Sequence, residues 1–398
     1  MARKINSRQI KQPQKRVIGA GITEFWYLKH LKPLLGFVYE MKPRYFGNES
    51  MDNINKLIDE GFLAHDEYIE LLANRDDEVR EFLRSAAQEI AITNYGREIF
   101  LRGLIEYSNT CKNDCYYCGI RRSNDNIDRY RLTPEDILQC CEIGYQIGLR
   151  TFVLQGGEDP YFTDDMMCKI ITAIKEQYPD CALTLSVGEK ERESYERFYE
   201  AGADRFLLRH ETADGEHYRR LHPEPLSLES RMRCLDTLKD IGFQIGAGFM
   251  VGSPGQTNET IARDFEYLKE LNPHMIGIGP FIHHKDTPFK DEPDGKLELT
   301  LFCLSILRIM FPKALLPATT ALGTIDKTGR EKGILAGANV IMPSLSPDNA
   351  RSKYLLYEGK VGVKDKAAEG RKILDDKLAK IGYKTATTRG DYKGWNRK

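Results

Sequence analysis

The sequence has no surplus of charge of either sign: 58 Lys and Arg stand against 59 Asp and Glu, a formal net charge of −1 over 398 residues. Nothing in that balance points to a nucleic-acid partner or an acidic surface ligand. A long hydrophobic run is also missing. Stretches such as 276–282 are broken by Gly and Pro, so none spans a bilayer and no membrane association is expected. No apolar signal-peptide core precedes the cysteines, and their number, nine, is odd. A secreted disulfide framework is therefore excluded, and a reducing cytoplasm is the expected location. Acidic residues are absent from 1–23, which carry six basic ones; such a segment suits organelle targeting or a solvated tail.

Residues 1–50 read as a basic and aromatic extension, and 51–97 as a helical lead-in with Ile54, Leu57, Ile58 and Phe62 at helical spacing. Asp66 and Asp76 suit helix starts. From residue 98 to 350, short β-branched or apolar runs recur about every thirty residues, with amphipathic stretches between them. The predicted strands are 99–107, 151–155, 183–187, 205–208, 244–251, 275–282, 315–321 and 339–342. Helices are predicted at 134–148, 164–177, 191–202, 228–242, 258–271, 297–311 and 330–337, several ending at Gly. Eight consecutive strand–helix units predict an α/β fold, a (β/α)8 barrel of the TIM type, with 351–398 as a C-terminal helical extension. In such a barrel the chemistry belongs at the C-terminal ends of the strands, and polar or Gly-rich clusters follow nearly every one here.

After the first strand the chain reads Ser108-Asn-Thr-Cys111-Lys-Asn-Asp-Cys115-Tyr-Tyr-Cys118-Gly119. Two metal chemistries compete for Cys111, Cys115 and Cys118. Structural zinc takes four ligands in paired short spacings, and no fourth Cys or His lies near. An iron–sulfur cluster takes thiolates, and three of them on a four-iron cluster leave one iron open. The spacing therefore favours one 4Fe-4S cluster. The other six cysteines sit in apolar surroundings, where a thiol acts as a small core side chain.

This C-x3-C-x2-C loop, with aromatic Tyr117 before its last Cys, resembles the radical S-adenosylmethionine (SAM) superfamily. Within it the chain resembles the branch of biotin synthase, methylornithine synthase and the HydE-type maturases of (FeFe)-hydrogenase. The HydE likeness runs from about residue 51 onward. Its carriers are 115–122, 154–161, 208–213, 246–257, 277–282, 317–324 and 337–343. The resemblance implies that SAM chelates the open iron and is reductively cleaved to a 5′-deoxyadenosyl radical. It further implies that the radical acts on an iron–carbonyl–cyanide–cysteine precursor, with an electron donor and other hydrogenase maturases as partners. Some HydE-type chains carry a second cysteine cluster near the C-terminus; here no Cys follows Cys303, so one cluster is expected.

Site roles follow by strand. Gln155, Gly156, Gly157 and Glu158 form a Gly-rich turn where backbone can approach a ligand and Glu158 can accept from the SAM amino group; an ordinary turn is the plain alternative. Arg231 is assigned to the SAM carboxylate and Glu211, beside Arg209, to the ribose hydroxyls, against a structural Arg–Glu pair. Tyr117 is expected against adenine, and Met275 near the sulfonium. Thr184, Ser186, Thr319 and Thr320 would put hydroxyls inside the barrel, where they need a polar substrate or water. The HydE resemblance places Tyr354 and Tyr357 at the substrate side. Adjacent His283 and His284 point apart on an extended loop and are not read as a metal pair. Two other readings stand beside the maturase: a methylornithine-synthase-like mutase acting on an amino acid, and a non-catalytic iron–sulfur or zinc scaffold.

Overall fold

A computed structural model of the chain describes residues 49–361 and 367–397; the basic segment 1–23 and the rest of the extension up to residue 48 lie outside them. Three helices lead in: α1 (Glu49–Glu60), α2 (His65–Ala73) and α3 (Asp77–Tyr95). The Asp76 carboxylate caps α3 by accepting the Val79 N–H at 2.8 Å. Asp66 is instead a first-turn residue of α2.

The barrel begins with two strands where one was expected, β1 (Glu98–Leu101) and β2 (Gly103–Ser108), parted at Arg102. Then follow α4 (Pro134–Gln146), β3 (Thr151–Gly156), α5 (Asp164–Gln177), β4 (Ala182–Ser186), α6 (Arg192–Ala201) and β5 (Arg205–Leu207). Next come α7 (Gly215–Leu221), α8 (Leu228–Ile241), β6 (Gln244–Ala247), β7 (Met250–Val251), α9 (Asn258–Leu271), β8 (Met275–Ile276) and β9 (Gly279–Pro280). The remaining elements are α10 (Leu297–Met310), α11 (Thr320–Ile325), α12 (Gly329–Leu335), β10 (Val340–Ile341), α13 (Asp348–Arg351), α14 (Ala367–Lys380) and β11 (Lys384–Ala386). Gly202 and Gly242 end α6 and α8 in the left-handed region, at φ 119° and 112°.

Six strands run parallel in the order β2-β3-β4-β5-β6-β8. Closure comes from short pairings: Met275 with Leu315, Pro317 with Val340, Phe100 with Val340, and Leu104 with Ser344. The chain thus has the expected TIM-type barrel, with corrections: the expected strands 244–251 and 275–282 are each split in two, and the C-terminal extension carries strand β11 as well as helix. The stretch 315–321 makes only isolated bridges, and from Thr320 it already turns as α11.

The far end of the barrel is covered by the chain itself. β11 pairs with β1 (Phe100 with Ala386), and 389–397 runs on below. There Arg205 Nη2 donates to Arg389 O at 2.8 Å and Asp391 Oδ1 at 2.6 Å, while Trp395 Nε1 donates to Gly242 O at 3.2 Å. Among the described residues no helix is long and apolar enough to cross a membrane.

Candidate active site

The C-terminal ends of the strands open into a cavity of about 330 Å³. Cys111, Cys115, Tyr117, Cys118, Gln155, Gly156, Gly157, Glu158, Ser186, Arg209, Glu211, Arg231, Thr319, Thr320, Tyr354 and Tyr357 all line it. Sixteen expected residues from seven separate stretches of sequence therefore converge. Two do not line it. Thr184 is buried beside it, its Oγ1 without a partner. Met275 begins β8 and so lies at the opposite end of the strand layer. It packs with Tyr95, Leu315 and Val340, and its Sδ accepts from Arg102 Nη1 at 2.9 Å. Its depth along the strand rules out the sulfonium role; Met250, at the start of β7, and Met342 are the methionines that line the cavity.

The loop after β2 presents the three cysteines, each a free thiol. Two strand-end contacts set its path: Gly157 N–H donates to Ser108 O at 3.2 Å and Lys112 N–H to Glu158 O at 2.9 Å. Burial pushes all three thiols up, Cys118 to about 12 and Cys115 well above its ordinary value. Thiolates at these positions would need a cation beside them, as iron would provide. Among the described residues no three of His, Cys, Asp or Glu converge on a point that would hold a single ion. Thiolates on separate irons of a cluster need no such convergence, so the donor set fits a cluster better than zinc.

Next to the thiols, the ring of Tyr117 is locked. His222 Nδ1–H donates to Tyr218 O at 3.0 Å, so its Nε2 is left to accept from the Tyr117 hydroxyl at 3.2 Å. Burial pushes His222 down to about 3, keeping it neutral. Glu158 has two partners already, Lys112 Nζ at 3.1 Å and the Glu189 N–H at 3.1 Å. A side chain at 188 would collide with that carboxyl, within 2.0 Å of Glu158 Cγ, which explains Gly188. Arg231 is oriented by Glu189 Oε1 at 2.7 Å and Arg209 O at 2.9 Å. Arg209 Nη2 donates to Glu211 Oε2 at 2.6 Å, while its Nε is buried and unpartnered.

At the other end of the cavity, Gln155 Nε2 donates to Tyr354 OH at 3.4 Å. Thr319 Oγ1, like Thr184 Oγ1, is a buried hydroxyl with no partner. Two charged residues that sequence reasoning missed also line this end. Glu106 on β2 is fully buried, accepts from Ser344 and Ser346 Oγ at 3.0 and 3.1 Å, and pairs with Lys360. Lys360 Nζ also donates to Tyr354 O at 2.9 Å. Only an acidic residue inside an otherwise apolar strand could have flagged Glu106. The adjacent histidines part company: His283 bonds Asp294 at 2.8 Å near the surface, and His284 is buried.

Comparison with known proteins gives concordant likenesses. Residues 105–268 match the radical SAM superfamily model. The chain is 48% identical over 297 residues to the [FeFe] hydrogenase maturase subunit HydE of Thermotoga maritima, covering 75% of this chain and 84% of that one. It is 29% identical over 321 residues to 3-methylornithine synthase of Methanosarcina barkeri, covering 80% and 90%. The crystal structure of methylornithine synthase superposes with a TM-score of 0.75 at 27% identity, over 84% of this chain and 97% of that one.

Proposed function

Because the chain belongs to the radical SAM superfamily, on the branch that contains the HydE maturases, we propose that this enzyme acts on an iron–carbonyl–cyanide–cysteine precursor during assembly of the (FeFe)-hydrogenase di-iron subcluster. The observation that carries this reading is a single cavity lined by three thiols, a Gly-walled Arg/Glu set and the unpartnered Thr319 hydroxyl. The chemistry supplied by a bound four-iron cluster and SAM is reductive cleavage of the sulfonium to methionine and a 5′-deoxyadenosyl radical.

The chain's own residues do the rest. Cys111, Cys115 and Cys118 hold the cluster. Arg231, fixed by Glu189, offers a rigid fork for the SAM carboxylate, and Glu211 with Arg209 faces the ribose. Tyr117, its ring pinned by His222, offers a face to the adenine. Thr319, in the cavity wall, leaves an unsatisfied hydroxyl that a polar substrate would satisfy. Tyr354 and Tyr357 close that end and keep water from it.

A mutase acting on an amino acid is the second reading, supported by the superposition on methylornithine synthase. Membership of the superfamily sets aside the non-catalytic scaffold. The test is anaerobic: reconstitute with iron and sulfide, reduce with dithionite, add SAM, and follow 5′-deoxyadenosine with and without the precursor. A new adenosylated species that forms only with the precursor is the expected result. SAM cleavage that ignores the precursor but responds to lysine would move the assignment to the mutase.

A further inference from the structure

The turn that carries Arg209 and Glu211 into the cavity is strained. Glu211 has φ 66°, one of two non-glycine residues with positive φ among the described residues. A side chain in that region persists only where its surroundings enforce it. Part of the enforcement is backbone: Glu211 N–H donates to Gly248 O at 3.0 Å, and Met250 N–H donates back to Glu211 O at 3.2 Å. Gly248 itself leaves no room for a side chain, since a Cβ would lie 2.0 Å from Gly277 O.

The remainder comes from behind. His210, between the two cavity residues, is fully buried, and its Nδ1 accepts the Gly248 N–H at 3.3 Å. Because Nδ1 accepts, the ring proton sits on Nε2, which donates to Asp264 Oδ1 at 3.1 Å. The same oxygen accepts the Ala213 N–H at 2.6 Å, at the other end of the turn. Asp264 lies on α9, also fully buried, and its Oδ2 has no partner. Burial pushes His210 down to about 3, which keeps the ring neutral, and pushes the Asp264 carboxyl well above its ordinary value. Neither residue lines the cavity.

We propose that His210 and Asp264 are positioning residues of the SAM site. They clamp the 209–213 turn at both ends, from α9, in the conformation that puts Arg209 and Glu211 into the cavity. This rests on reading the cavity as the SAM site.

The test uses reconstituted holoenzyme and isosteric half-replacements. His210→Asn keeps an acceptor for Gly248 but loses Asp264; His210→Gln keeps the donor to Asp264 but loses Gly248. Asp264→Asn keeps the one oxygen that accepts from both His210 and Ala213. SAM Kd by calorimetry, the SAM-induced change in the electron paramagnetic resonance spectrum of the reduced cluster, iron content and Tm are measured together. Both His210 variants should raise the SAM Kd by about fivefold to tenfold, the loss of one buried hydrogen bond. They should weaken the spectral change at wild-type iron content, and by more than Asp264→Asn does. If the His210 variants lower Tm but keep the wild-type Kd and spectrum, the pair is merely structural and the proposal is overturned alone. A wild-type holoenzyme that binds no SAM would overturn the reading of the cavity, and the proposal with it.

Discussion

Substituting Gly157 by alanine adds one methyl group at the point where the Gly-rich turn touches the cysteine loop. The new Cβ would stand 2.2 Å from Thr110 O and 2.8 Å from Cys111 Cβ. Comfortable separations are about 3.5 Å, so the overlap exceeds about 1 Å. Neither neighbour is a flexible tip; one is backbone, the other the root of the Cys111 side chain. The strand-end contacts to Ser108 O and Glu158 O hold both sides of the gap, and the loop itself has to move. Overpacking of this kind costs about 1–3 kcal/mol, within the ~5–15 kcal/mol of a typical domain, so the variant should fold. The site suffers more, because reacting groups need placement to about 0.5 Å and an error of about 1 Å costs up to ~100-fold in rate. Gly157→Ala should therefore show a modest fall in Tm, incomplete iron after reconstitution, and 5′-deoxyadenosine formation reduced ~100-fold. Gly277→Ala is the control in the same cavity: its Cβ meets only Pro317 Cγ, at 3.8 Å, and it should take up iron like wild type. Full iron content and wild-type turnover in Gly157→Ala would refute the steric argument.

Cys115→Ala should abolish the reducible cluster and SAM cleavage; retained 5′-deoxyadenosine formation would remove Cys115 from the ligand set. Arg231→Ala should weaken SAM binding by about 2–3 kcal/mol, as expected for a charge-assisted contact, and an unchanged Kd by calorimetry would take Arg231 out of the site. Lys360→Met leaves Glu106 buried without its counter-charge and should cost about 3–5 kcal/mol. The double variant Glu106→Gln/Lys360→Met should recover most of that loss in urea unfolding. Burial alone would raise the Asp391 carboxyl, but Arg205, Gln244 and Arg389 outweigh it and hold it at about 2. With a folded pKa below the unfolded value of about 3.9, its stabilisation is present above about pH 4 and fades as pH falls toward 2. Tm of the apoprotein and Asp391→Asn should therefore differ at pH 7 and converge at low pH.

The periodic parts of this fold were legible because each helix buries one face and each strand is a short apolar run. The spans 164–177 and 258–271 coincide with α5 and α9. The cysteine loop was legible because its thiols are local in sequence. Lys360 and Glu106 meet only through barrel closure, 254 residues apart, and no local pattern announces such a pair. His210 and Asp264, 54 residues apart, escape for the same reason. Met275 was misplaced because a strand pattern shows which residues alternate but not how deep each one lies. The strand at 315–321 reads as extended from its β-branched run, yet Thr320 starts a helix, since tertiary contacts override a weak local preference.

The pairing of Phe100 with both Val340 and Ala386 has a consequence for biosynthesis. The cysteine loop leaves the ribosome well before the strands that close the barrel against β1. At about 5–20 residues per second the interval is on the order of tens of seconds. Through it the three thiols belong to an open, unclosed half-structure, reachable by oxidants and by stray metal ions. Pairing of β10 and β11 with β1 is therefore the step that completes the wall around the cysteine loop.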